Sequence, residues 1–97
     1  MGYKIDITPS ADRDLDEIVS YIAESLGNPS AAILFLDEID ACYRSLQAMP
    51  YLYEECHDIR LRELKYRRAV IRNYIMIYRV DEGARVVHIL RFFYGTR

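Results

Sequence analysis

The side chains best able to do chemistry in this chain are its arginines. Ten of the thirteen Lys/Arg residues lie between positions 59 and 97, against only Glu63, Asp81 and Glu82. Residues 1–58 reverse the balance, with Lys4, Arg13 and Arg44 set against twelve carboxylates. The formal −2 of the whole chain therefore divides into about −9 and +7. Cations gathered on one surface attract a polyanion, either nucleic acid or an acidic protein segment. The plainer alternative is that Arg and Lys solvate the open face of a sheet. Candidates for proton transfer are few. His88 falls inside a strand pattern, where a lone histidine is more often structural. Glu54, Glu55 and His57 share a loop that could reach the sheet, although loop charge is usually just solvated. Tyr94 has a phenol that can donate a proton or stack on a base, or that can simply cover the edge of a core. Cys56 and His57 are neighbours with no second Cys/His pair, so no zinc site is expected. No cofactor or metal is implied.

These residues need elements to position them. Tyr3, Ile5 and Ile7 alternate with Lys4 and Asp6, the period of a half-buried strand. Thr8-Pro9 supplies an N-cap hydroxyl and a first-turn proline. Ala11, Leu15, Ile18, Val19, Ile22 and Leu26 then form one apolar stripe of a helix that Gly27 ends. Asn28-Pro29 starts a second helix, with Ala32, Phe35, Leu36, Ile39, Tyr43 and Leu46 on its apolar face and Met49-Pro50 as its stop. So short a link makes residues 9–26 and 29–48 an antiparallel hairpin. Residues 51–58 read as a loop. In Ile59–Leu64 charged and apolar residues roughly alternate. Tyr66 to Ile71 is a strand, Arg72-Asn73 a two-residue turn using Asn's tolerance of positive φ, Tyr74–Val80 a central strand and Arg85–Phe93 the last strand. The order β-α-α-β-β-β, helices first and then an antiparallel sheet, is α+β.

Size and composition exclude several classes. Ninety-seven residues, 52% of them apolar, fit a single domain over 1–97 with a real core. No apolar run approaches the roughly 20 residues of a membrane span, so no membrane partner is expected. The N-terminus has no apolar signal core. Cys42 and Cys56 are too few for a disulfide framework, and Cys42 fits a helix core. A reducing, cytoplasmic location follows as the expectation.

The chain resembles the RelE/ParE superfamily of type II toxin–antitoxin toxins, the plasmid-stabilisation type. Ile7-Thr8-Pro9-Ser10-Ala11-Asp12-Arg13-Asp14-Leu15 looks like the start of that family's first helix. Asp16-Glu17-Ile18 with Tyr21-Ile22-Ala23-Glu24 resembles its continuation, and Phe35-Leu36 with Leu46 and Pro50 its second helix. The most diagnostic part is Tyr66-Arg67-Arg68-Ala69-Val70 with Asn73-Tyr74-Ile75-Met76-Ile77-Tyr78-Arg79-Val80, followed by Ile89-Leu90-Arg91 and Tyr94-Gly95-Thr96-Arg97. The likeness covers nearly the whole chain.

The resemblance implies a small toxin that arrests growth and is held inactive by an antitoxin encoded beside it. ParE-like members poison DNA gyrase; RelE-like members cleave mRNA in the ribosomal A site, and a shared fold does not choose between them. Metal-free RNA cleavage needs a base for the 2′-OH, an acid for the leaving 5′-oxygen and cations around the phosphate. For that branch the resemblance assigns Arg68, Arg72, Arg91 and Tyr94, with Tyr94 standing where many relatives place His. Two departures count against it. Ile75 stands where nucleases often carry Arg, and the chain stops at Arg97 without the Tyr or His-Tyr end of several nucleases. The long helical hairpin is closer to the gyrase-poisoning branch. A third reading is a degenerate toxin that only binds antitoxin. In each case the expected partner segment lies over the sheet, pairing as an extra strand, with its carboxylates facing Arg60, Arg62, Arg67, Arg68, Arg91 and the terminal Arg97.

Overall fold

The structure, a computed structural model, describes residues 2–95. Strand β1 (Lys4–Ile7) leads into helix α1 (Pro9–Ser20), which continues as a π-helical turn over Tyr21–Ser25. Helix α2 (Pro29–Ala48) runs back, and a short helix α3 (Ile59–Glu63) precedes β2 (Arg67–Ile71), β3 (Tyr74–Asp81) and β4 (Val86–Tyr94). The four strands form one sheet in the order β1-β4-β3-β2. The β2–β3 and β3–β4 pairs are antiparallel, whereas β1 joins the edge parallel to β4. The long crossover through both helices makes that parallel return possible.

The caps work as the sequence reading expects. Thr8 Oγ1 accepts from Ala11 N at 3.3 Å and also donates to Ile89 O at 2.8 Å, so one hydroxyl starts α1 and ties it to β4. Gly27 takes a left-handed φ of 61°, and Asn28 Oδ1 accepts from Ala31 N to start α2. Phe35, Ile39, Cys42 and Leu46 on α2 are buried against Ala69, Met76, Tyr78, Val87, Ile89 and Phe92 of the sheet. A smaller cluster lies on the opposite face, where Cys56, Ile75 and Ile77 pack with Leu61, Tyr66 and Leu90. Strand β3 is thus apolar on both faces, as a central strand requires.

One segment gains a state and one local reading needs correction. Ile59–Glu63 is helical, although its residues alternate. Asp58 Oδ1 accepts from Arg60 N and Leu61 N, and this N-cap overrides a period-2 pattern in which only Leu61 has a core to face. In the β2–β3 turn the left-handed residue is Arg72, with φ 56°, and not Asn73. Its guanidinium is anchored to Glu38 by two hydrogen bonds, which help offset the roughly 1–2 kcal/mol of that backbone conformation.

A tyrosine clasp sets the loop after α2. Glu82, in the β3–β4 turn, accepts hydrogen bonds from Tyr3 and Tyr51. Those donors hold its carboxyl below the ordinary value, while the Tyr51 phenol is pushed up to about 12, first by that bond. Arg85 stacks 4.4 Å over the Tyr3 ring and Arg67 lies 5.0 Å over the Tyr51 ring. The chain therefore leaves Tyr51 along the β2 edge, where Glu55 bridges to Arg67.

Phe35 is fully buried, whereas Leu36 is 36% exposed. Phe35→Ala is expected to lower unfolding stability by about 3–5 kcal/mol through the cavity it leaves, and Leu36→Ala by under about 1 kcal/mol, both read by urea denaturation.

Candidate functional site

A cleft of about 610 Å³ opens at the β2–β3 turn end of the sheet. Arg68 and Val70 come from β2, Arg72 and Asn73 from the turn, Ile75 from β3, Tyr94 and Gly95 from the end of β4, and His57 from the loop. Gly95 lets the chain pass close here: a Cβ would stand 2.5 Å from Ile75 Cδ1 and force that side chain to shift. The cleft brings together Arg68, Arg72 and Tyr94 of the expected residues. It also adds the loop, which the sequence placed within reach but favoured as merely solvated. Arg68 N donates to Glu54 O at 3.0 Å, zipping the loop to the strand. Glu54 Oε2 then lies 3.3 Å from Arg68 Nη1 and 3.1 Å from His57 Nε2. His57 Nε2 is also 3.4 Å from Arg68 Nη1. A neutral ring with a bare Nε2 accepts from Arg68, and a protonated one donates to Glu54. Tyr94 packs edge-on to Tyr74, with centroids 5.6 Å apart, and is 61% exposed.

The other expected arginines do not join them. Arg91 gives Nε and Nη2 to Asp14 on α1 at 2.6 and 3.2 Å. Its place in the register is irregular: Tyr78 pairs with Ile89 but Ile77 pairs with Arg91, so Leu90 is an extra residue, and from that bulge the Arg91 side chain reaches Asp14 at the edge of β4. Arg72 lines the cleft, yet gives Nε and Nη2 to Glu38 on α2 at 2.8 and 3.1 Å. Arg67 faces the other side, with Nη1 donating to Tyr53 O at 2.6 Å and Nη2 3.9 Å from Glu55. Arg60 and Arg62 ride on α3 and not on the sheet. Arg60 lies 3.7 Å from Asp58, and Arg62 Nε donates to Cys56 O at 3.2 Å. Arg97 lies outside the described residues. A single exposed surface of arginines is therefore not what forms. The acidic first half folds around the basic second half and supplies carboxylates to it.

Asp14 and Glu38 are the residues the sequence reading missed as partners. Each sits three residues after a buried side chain and four before another part of the apolar stripe: Ala11 and Ile18 for Asp14, Phe35 and Cys42 for Glu38. For the half-buried Asp14 a carboxylate there is costly without a partner, and that placement was the available signal; Glu38 is exposed, and its spacing alone carries no such penalty. His88 is also structural, with Nδ1 2.7 Å from Asp6 Oδ2 across the β1–β4 pair.

Electrostatics agree with the geometry. The Arg91 hydrogen bonds are the largest cause holding the Asp14 carboxyl below its ordinary value; the Phe92 N–H adds to this, and partial burial opposes it. Arg91 and Arg72 are each pushed up, first by their carboxylate partners. Burial raises the phenols of Tyr53 and Tyr78 to about 12, so both stay protonated as weaker acids than a free phenol, and Tyr78 spends its proton on Pro50 O at 3.2 Å. Among the described residues no group of three His, Cys, Asp or Glu could hold a metal ion, and no helix is long and apolar enough to cross a membrane.

The sequence matches a family described as the ParE toxin of type II toxin–antitoxin system, parDE, over residues 5–97. The chain belongs to that family. Comparison with curated proteins gives no match. A solved chain of the toxin–antitoxin complex RelBE2 from Mycobacterium tuberculosis is 22% identical, covers 97% of this chain and 99% of its own, and superposes with a TM-score of 0.66. A chain of the chromosomal ParDE system of P. aeruginosa is 18% identical over 97% of each, with a TM-score of 0.77. At these identities the two structures establish the shared RelE/ParE fold.

Because Asp14 is held below the usual carboxylate value, its contribution is complete above the unfolded value near 3.9 and is lost as pH falls through the folded one. Asp14→Asn keeps an acceptor for Phe92 N–H but loses the ion pair. It is expected to cost about 1 kcal/mol at pH 7, the lower end because water screens the pair, with the gap to the native protein closing below about pH 4 in thermal melts.

Proposed function

We propose that this toxin is neutralised by a cognate antitoxin encoded beside it, and that it arrests growth in the cytoplasm by binding DNA gyrase, not by cutting mRNA. The supporting observation is the charge accounting of the sheet. Arg72 and Arg91, two of the three cations a phosphoryl-transfer site would use, each spend two N–H groups on a carboxylate of this same chain. Arg91 moreover points out of the cleft altogether. A scissile phosphate would have to displace those acids before its developing charge met either of these two guanidinium groups, leaving Arg68 as the one cation of the three not held by a helix acid. A protein that acts by surface complementarity has no such requirement. Membership of the ParE toxin family agrees with this reading.

One observation favours the second reading, a ribosome-dependent mRNA endonuclease. The cleft holds Arg68, Arg72, His57 and Tyr94 together, with Glu54 on Arg68. In that chemistry Glu54 or His57 takes the 2′-OH proton and the oxygen attacks the adjacent phosphorus. Tyr94 protonates the departing 5′-oxygen, leaving a cyclic phosphate.

Expression in cells followed by mapping of mRNA 5′ ends is expected to give intact transcripts with stalled DNA replication, and the purified protein is expected to block supercoiling by gyrase. The second reading takes over if new ribosome-dependent ends appear and fall by about 10²–10⁴ in Tyr94→Phe, with a comparable loss in Arg68→Ala. Unimpaired growth would leave only a degenerate toxin that binds antitoxin.

A further inference from the structure

We infer that the groove between α1 and the free half of β4 is a docking surface for a basic segment bearing aliphatic side chains, supplied by the antitoxin. The inference rests on the antitoxin reading above and specifies where that partner seats and with which sign of charge.

The groove exists because β1 is too short for β4. The parallel register ends at Ile7 opposite Ile89, and the chain then turns into α1. Beyond Ile89, β4 runs five more residues with no strand on its outer side among the described residues. Asp14 Oδ2 accepts the Phe92 N–H at 3.0 Å there, and strand alternation directs the Tyr94 N–H to the same edge. Between this edge and α1 lies a groove of about 540 Å³ with Ile18, Tyr21, Tyr74, Phe92, Phe93 and Tyr94 in its wall. Tyr21, Phe93 and Tyr94 are 51%, 44% and 61% exposed, so a contiguous aromatic surface faces water. Thr8 and Asp14 already take the edge groups at Ile89, Leu90 and Phe92, so main-chain pairing is confined to the end of β4 at Tyr94, and the rings offer pockets for side chains.

Charge decides the occupant. Arg60, Arg67, Arg68, Arg72 and Arg91 each meet a carboxylate of this chain, and Asp14 in the groove wall is taken by Arg91, but Asp16, Glu17 and Glu24 beside it have no ion pair among the described residues. A second hollow of about 370 Å³, lined by Asp16, Glu17, Ser20, Tyr21 and Glu24, shares Glu17 and Tyr21 with the groove and continues it. Asp16 and Glu24 have no hydrogen bond or ion pair among the described residues, and Glu17 only adds its field to Arg91. The aromatic wall thus opens onto an acidic lip. A carboxylate-rich segment would be repelled there. Lysine or arginine is attracted to the lip and to the tyrosine faces, while an aliphatic neighbour fills the wall. This sign is opposite to the one expected from the sequence, where an acidic segment was to cover the arginines.

The test is isothermal titration of the purified protein with the product of the adjacent reading frame, at several NaCl concentrations. The native protein is compared with the Glu17→Lys/Glu24→Lys pair and with Tyr21→Ser. Thermal melts confirm folding, and Glu17→Gln/Glu24→Gln replaces the reversal pair if that pair does not fold. Affinity is expected to fall with salt, and to drop about tenfold or more in the reversal pair, where opposed charges become like charges. If the complex forms and these variants bind as the native protein does, the docking surface is overturned while the antitoxin reading stands. Salt-insensitive binding overturns the charge argument. If no complex forms, the antitoxin reading fails and the inference falls with it.

Discussion

The contact between Asp14 and Arg91 joins the acidic half of this chain to its basic half, and the surroundings of both surface hollows follow from it. Asp14 sits on the inner stripe of α1 and accepts three N–H groups from β4, two from Arg91 and one from Phe92. A carboxylate in that position is stable only if such donors meet it. The contact holds α1 alongside the part of β4 that β1 does not reach. It also removes Arg91 from the cleft at the far end of the sheet. Glu38 does the same for Arg72 from α2, so each long helix supplies one acid to one arginine of the sheet region.

Net charge along a sequence is therefore a poor guide to net charge on a surface. The first half is acidic and the second basic, yet folding interleaves them, because the helical hairpin and the loop after it lie against the sheet. What reaches solvent without an internal partner is the excess. That excess is negative on α1 and its π-helical turn, beside an aromatic groove. Leftover charge and apolar surface are what distinguish one docking partner from another.

The loop of residues 53–58 shows how one segment can serve both stability and chemistry. The Tyr3–Glu82–Tyr51 clasp and the Arg67 contacts with Tyr51, Tyr53 and Glu55 fix its path. That path drops Cys56 into the small second core and leaves Glu54 and His57 at Arg68. Tyr53 meanwhile packs on the main core, edge-on to Tyr78, so the loop is anchored at both ends of this path.

The order of elements, the two helix starts, the burial of the α2 stripe and the two-sided burial of β3 were all legible in the sequence. They depend on neighbours a few residues apart: a hydroxyl before a proline, apolar residues at helical spacing, a glycine after the last turn. The helical state of Ile59–Glu63 was less legible, because its cap competed with an alternating pattern. Long-range pairing decided the rest. Whether β1 ran parallel or antiparallel, where the bulge at Leu90 fell, and which acid met which arginine are relations between residues tens of positions apart. Local sequence carries no term for such distances, and a one-residue bulge is enough to change the face that every later side chain of β4 takes.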